Sequence, residues 1–182
     1  MTAGRGIVHS EMPLQEDGLM RGFQIWVNLP KSHKMMDPRY QDVPAAAIPA
    51  VDASPGVRAK VIAGRLAGTD GAVRDILADP LYLDLHFAPG ASVTLPIPAG
   101  HTAIVHPYEG DLAIGDSALD TDCLAILSDG SQVSIAARTE GAKALLLAAK
   151  PWGEPVVRHG PFVMTTRQEI IEAVQDFQAG RF

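Results

Sequence analysis

The chain has 182 residues, 47% of them hydrophobic and 20% charged, with a formal net charge of −6. That length and apolar share suffice for one large packed domain or two small ones, and no apolar run approaches the roughly 20 residues of a membrane-spanning helix. The 15 basic residues are scattered through an acidic chain, which excludes a broad phosphate-binding face, so neither direct nucleic-acid binding nor membrane attachment is expected.

Cys123 is the only cysteine. An intrachain disulfide is therefore excluded, and a reducing, cytoplasmic location is the simple expectation. Cys123 lies in the apolar run Cys123-Leu124-Ala125-Ile126-Leu127 and reads as a small buried hydrophobe. Met1 is followed by Thr-Ala-Gly-Arg with no apolar stretch behind it, so no signal peptide is expected there.

In chain order, residues 7–11 read as a strand, and Phe23-Gln24-Ile25-Trp26-Val27-Asn28 alternates apolar and polar with the period of a half-buried one. Residues 43–56 shift to Pro, Ala and Ser and read as a linker, because Pro44, Pro49 and Pro55 cannot donate to a ladder. Beyond it, strands are predicted at 59–66, 81–87, 92–95, 102–106, 111–114, 124–127, 132–136 and 143–148. Asp129-Gly130 reads as a tight hairpin turn between two of them. Many short strands with turn signals between them favour a double-sheet jelly roll over a parallel sheet. A helix follows. Thr166 caps it, Glu169 completes a capping box, Ile170, Ile171, Val174 and Phe177 share one face, and Gly180 stands at the C′ position. Its apolar face must be covered, so it is expected to pack on a sheet. The piece before the linker is too small to be a domain alone.

Chemistry concentrates near the start. On a strand, His9 and Glu11 point to one face, and mixed imidazole and carboxylate ligation suits Fe(II), Mn(II) or Zn(II). Gly4 and Gly6 allow the backbone a tight turn just before them. On spacing alone such a pair is a weak signal and more often marks a surface or hydrogen-bonded histidine beside a solvated glutamate. Of the other histidines, His33 reads as solvated, His86 lies on the polar phase of its strand, and His159 sits in a turn. His101 and His106 have the wrong parity for a shared ligand face, which speaks against a second metal site built with His86. Phosphate-binding loops, dinucleotide fingerprints, nucleophile elbows and paired catalytic carboxylates are not recognised; Glu109 and Asp111 read as turn residues.

The stretches "MTAGRGIVHSEMP", "GFQIWVNLPKSHKMMDPRYQ", "LYLDLHFAPGA", "PIPAGHTAIVHPYEGD" and "EPVVRHGPFVMTTRQEI" resemble the pirin family of the cupin superfamily, in family order across nearly the whole chain. The resemblance implies a mostly β bicupin with an incomplete first cupin. It gives residues 1–50 to the remainder of an N-terminal cupin domain, 51–165 to a C-terminal cupin domain, and 166–182 to a helix packing back on the β units. It also implies a mononuclear iron, Fe(2+), held by three His and one Glu in the first domain, with His9 and Glu11 matching the third His and the Glu. The other two ligands come from an H-x-H segment that this chain lacks, so a front-truncated member with a weakened or absent metal site is expected. Two functions are implied: oxidation of a flavonol-like aromatic substrate in the manner of quercetin 2,3-dioxygenase, with Glu11 also receiving a substrate proton, or a non-catalytic cupin module that regulates a protein partner.

Overall fold

The computed structural model describes residues 1–12 and 17–182; Pro13, the last residue of the first motif, lies outside them. The chain forms two compact units, Asp42–Pro151, and Met1–Gln41 together with Trp152–Phe182.

The unit Asp42–Pro151 is a double-sheet jelly roll. Its strands are β1 (Ala50–Ser54), β2 (Val57–Ala63), β3 (Arg65–Leu66), β4 (Thr69–Asp70), β5 (Leu81–Phe87), β6 (Ser92–Pro96), β7 (Thr102–Glu109), β8 (Leu112–Ile114), β9 (Ser117–Leu119), β10 (Ala125–Ile126), β11 (Gln132–Ala137) and β12 (Ala142–Ala149). One sheet has six strands in the order β1-β2-β5-β12-β7-β10, the other four in the order β6-β11-β8-β9, and β3-β4 form a small ribbon. All strand pairs in these sheets are antiparallel.

The core follows from alternation. Strand β5 buries Leu81, Leu83, Leu85 and Phe87 and turns Tyr82, Asp84 and His86 the other way, the period-two signature of a sheet with one face in the core. Register places Val61 beside Leu83, Leu83 beside Leu146, and Leu146 beside Val105. All four side chains are fully buried. From the smaller sheet, Val93, Leu95, Val133, Ile135 and Leu112 complete the same cluster.

Several expectations from the sequence change here. The Pro-rich stretch 43–56 contains strand β1; Pro49 and Pro55 flank it rather than interrupt it, so no ladder donor is lost. Asp129-Gly130 does not close a hairpin, because the strands on either side, β10 and β11, belong to different sheets. The tight turn lies instead between β8 and β9, at Gly115 (φ +55) and Asp116. Cys123 is exposed, not buried, since it precedes the two-residue edge strand β10 instead of lying within a covered one.

The unit Met1–Gln41 with Trp152–Phe182 has a different character. Its regular elements are a 3-10 turn (Lys31–His33), the hairpin β13 (Val157–His159) with β14 (Phe162–Met164), and helix α1 (Arg167–Gln178). Residues 7–11 and 23–28 form no strand among the described residues. An alternating pattern says which face a strand would show, but the ladder bonds come from a neighbour. Here, order comes from scattered polar links. The Lys34 ammonium, in a residue only 5% exposed, donates to Asn28 Oδ1 (2.7 Å) and to the Val163 carbonyl (3.0 Å). Trp152 Nε1 donates to the Asn28 carbonyl (2.8 Å), and the Lys31 amide donates to Glu154 (2.6 Å).

Helix α1 packs against β13 and β14. Both its ends follow the local sequence. Thr166 Oγ1 accepts the Glu169 amide (3.2 Å), while Glu169 Oε2 accepts from the Thr165 hydroxyl (2.6 Å) and from the amides of Thr165 and Thr166 (both 2.9 Å). The far end closes through Gly180 (φ +65), whose amide reaches the Phe177 carbonyl (3.1 Å) while the Arg181 amide reaches that of Asp176 (2.9 Å). That bond pair is the Schellman arrangement. No helix among the described residues is long and apolar enough to cross a membrane.

Two outcomes are expected. Leu146→Ala opens a cavity at the centre of the buried row and lowers unfolding stability by about 2–5 kcal/mol in urea titration, with the denaturant slope unchanged. The bonds from Thr165 and Thr166 hold the Glu169 carboxyl down at about 2, from an ordinary 4.5. A depressed carboxylate stabilises the fold at pH values above its unfolded pKa and ceases to do so as pH falls through the folded one. Acidification from pH 4.5 towards 2 should therefore destabilise the native chain by more than it does Glu169→Gln, read as melting temperature by circular dichroism.

Candidate functional site

The segment carrying His9 and Glu11 is set by the five residues before it. The amide of Thr2 donates to the Arg39 carbonyl (2.7 Å) and that of Arg39 to the Thr2 carbonyl (2.9 Å). The Arg5 amide donates to the Met36 carbonyl (2.9 Å), and the Arg5 guanidinium pairs with Asp37. Gly4 has φ +52, and a Cβ there would lie 2.1 Å from the Met36 carbonyl oxygen. Only glycine fits so close to a backbone in that conformation. Gly6, at φ +142, faces the ring of Phe182 in the same way, with 2.5 Å from an added Cβ to Cδ1. The chain therefore leaves residue 6 along a fixed path.

His9 and Glu11 both stand exposed. Glu11 Oε1 accepts from Gln24 Nε2 (2.8 Å), which ties the segment to the stretch that the sequence suggested as a strand. Because residues 7–11 are not in a ladder, the shared-face argument from strand parity does not apply to the pair. Among the described residues, no group of three or more His, Cys, Asp or Glu side chains comes together in a metal-holding arrangement. Within those residues the donor set offered at this segment is one imidazole and one carboxylate.

Four of the five other histidines have surroundings of their own. His33 Nδ1 meets the hydroxyl of Ser32 (2.9 Å). His106 Nδ1–H donates to the Cys123 carbonyl (3.0 Å). The Nδ1 of His101 is buried with no hydrogen-bond partner among the described residues. His86 Nε2–H donates to Asp84, 3.1 Å from each carboxylate oxygen.

Asp84 centres a polar cluster that sequence reasoning missed. Besides His86, it accepts the Tyr108 hydroxyl (2.7 Å) and lies 3.4 Å from Lys60 Nζ. Burial by itself would push this carboxyl up; the bonds from Tyr108 and His86 and the nearby Lys60 charge leave it below the usual carboxylate range. Burial and the same carboxylate hold the Tyr108 hydroxyl well above the usual tyrosine range. The cluster binds strands β2, β5 and β7 on the face turned away from the core, with its groups directed at one another. The signal was present as parity: Lys60 lies beside Asp84 in register. Tyr108 was not predictable, because β7 and β5 are separated by β12 in the sheet.

The Asp42–Pro151 unit also has a cleft of about 290 Å³, lined by Gly64, Asp70, Arg74, Asp75 and Asp79 among others. None of the residues predicted from the sequence to carry chemistry lines it.

Comparison with known proteins gives these sites a family. The family described as the pirin C-terminal cupin domain matches residues 82–182, and the family described as pirin matches residues 1–27. A pirin-like protein of Caulobacter vibrioides is 44% identical across 100% of this chain and 66% of its own length. Pirin of Homo sapiens is 40% identical across 98% of this chain and 62% of its own length. Among solved structures, a quercetin 2,3-dioxygenase from Acinetobacter baumannii superposes with a TM-score of 0.81 at 38% identity, covering 86% of this chain and 55% of that one. The chain thus spans less than two thirds of the length of each of these relatives. With a family match over more than half its residues and a jelly-roll fold to go with it, the chain belongs to the pirin family of cupin proteins.

Proposed function

We propose that this chain is the iron-binding type of pirin-family cupin, that His9 and Glu11 are metal ligands, and that its chemistry is the quercetin 2,3-dioxygenase-like oxidation of a flavonol-like aromatic substrate in the cytoplasm. The observation that carries the reading is the His9–Glu11 segment. An imidazole and a carboxylate are exposed two residues apart, directly after a loop pinned by Arg39, Met36 and Phe182. A structural neighbour described as a quercetin 2,3-dioxygenase supports the same direction. Iron, when bound, supplies Lewis acidity and a site for O₂. Glu11 offers a base for a substrate hydroxyl proton, in exchange for its bond from Gln24.

The donor count sets a limit on this activity. A mononuclear catalytic site normally takes three or more protein ligands, and the described residues bring two to this segment. We therefore infer that the polypeptide alone holds iron weakly and oxidises flavonols poorly. Dialysis of the purified chain against chelator, followed by elemental analysis, should leave well under one iron per chain. His9→Ala and Glu11→Ala should each abolish the residual Fe(II) binding seen by titration. Stoichiometric iron surviving the chelator would sink the inference of an impaired site, and binding indifferent to both substitutions would sink the ligand assignment.

One observation favours a second reading, a non-catalytic interaction module acting on a protein partner. In Met1–Gln41, Val8, Met12, Leu19 and Met20 are each at least 70% exposed, and Trp26 and Met35 are more than half exposed. Six large apolar side chains left exposed in so short a stretch are candidate contact residues. On this reading the chain self-associates at micromolar concentration, measured by size exclusion with light scattering, and Met12→Ser with Met20→Ser reduces the association. A clean monomer throughout would count against it.

A further inference from the structure

The C-terminal aromatic residue of this chain sits where it can govern the segment that carries His9 and Glu11. Helix α1 ends in the Schellman turn at Gly180, reinforced by Arg181, whose Nε donates to Asp176 Oδ1 (2.8 Å). The turn sends residue 182 back across the last turn of the helix. There the Phe182 ring meets Phe177 of α1 at a centroid distance of 5.8 Å and Phe162 of β14 at 6.0 Å, while Phe162 and Phe177 lie 6.3 Å apart. All three separations fall in the range of favourable aromatic pairs. The triad fixes the ring, and the ring lies directly on the backbone of Gly6. A Cβ at Gly6 would come within 2.5, 2.6 and 2.8 Å of Phe182 Cδ1, Cγ and Cε1.

The Gly4–Gly6 loop is thus held on two sides. Met36 and Asp37 close one side, through the Arg5 amide bond and the tight approach of Gly4. Phe182 closes the other. His9 follows three residues later, and among the described residues no backbone hydrogen bond outside the chain's regular elements involves residues 7–12. Among the described residues, the contacts that set the course of that segment are the loop before it and the bond from Gln24 to Glu11.

We propose that Phe182 is a positioning residue: packed on Gly6 by the Phe162–Phe177–Phe182 triad, it fixes the direction in which the chain presents His9 and Glu11. The mechanical part of this inference stands on the contact itself. Its relevance to metal binding rests on the ligand reading given above.

The test uses the full chain and four variants: F182A, F182Y, G6A and G6A/F182A. Backbone amide order parameters for residues 7–11 should be in the rigid range, about 0.85, in the native chain and fall below about 0.6 in F182A. F182Y keeps the ring and should restore them. G6A should loosen the segment in the native background and have a smaller added effect in F182A, because the ring it collides with has gone; non-additivity of this kind reports direct contact. Amides of β5 and β12 serve as the folding control and should not change. Co(II) titration, followed by visible absorption, should show weaker binding in F182A and recovery in F182Y. Equal order parameters in the native chain and F182A, or additive effects in the double variant, would overturn the proposal. Loosening in F182A without Co(II) binding by any of the proteins would uphold the positioning role and overturn the ligand reading instead.

Discussion

The jelly roll depends on a single line of side chains. Val61, Leu83, Leu146 and Val105 lie side by side across β2, β5, β12 and β7, with no exposed surface. A slip of one residue on any of these strands would turn its apolar set outward, so this row fixes register for the four central strands of the six-stranded sheet. The neighbouring row follows without further choice: Lys60, Asp84, Leu145 and His106 come into line on the other face. The Asp84 cluster is therefore a by-product of core packing. Once Leu83 is placed inside, Asp84 is directed outward between Lys60 and Leu145, and Tyr108 and His86 satisfy it.

The two units are ordered by different means. In Asp42–Pro151, burial does the work, and the polar atoms of Asp84, Tyr108 and His86 stitch an already determined sheet. In Met1–Gln41 with Trp152–Phe182, the described residues among the first 41 contribute a 3-10 turn and an isolated bridge between Thr2 and Arg39. Among the contacts that position them are those of Lys34 with Asn28 and Val163, Lys31 with Glu154, Trp152 with Asn28, and Gly6 with Phe182. Burial pulls the Lys34 ammonium below its ordinary range, and the charges of Glu154 and Glu169 oppose that pull. A unit held in this manner tolerates little substitution at those residues and much elsewhere, which suits a surface on which a few side chains carry the function.

What the sequence revealed follows the same division. Strand β5 was readable to the residue, because Leu81 to Phe87 alternates without exception. The ends of α1 were readable because capping is local: Thr166, Glu169 and Gly180 act within a turn of themselves. Non-local facts were not. Nothing in the proline-rich composition says that residues 50–54 find β2 as a partner, and nothing in the alternation of residues 23–28 says that they find none among the described residues. Asp129-Gly130 has the composition of a hairpin turn but serves a crossing between sheets. For the candidate site, the family motif points to His9 and Glu11 as proposed ligands, and the glycines before them were legible as a tight turn. The roles of Phe182, Gln24 and Lys34 were hidden, since each meets its partner across a gap in sequence that no periodicity spans.

The rims of the six-stranded sheet have a consequence for behaviour at high concentration. At one rim, β1 is bounded by Pro49 and Pro55; at the other, β10 is two residues long. Neither offers a long row of free backbone donors and acceptors, so neither is a good template for growth by strand addition into ribbons or fibrils. Clumping of this protein would then proceed through greasy side chains such as Met12 and Leu19, and would be dispersed by mild detergent, where cross-β assemblies would resist it.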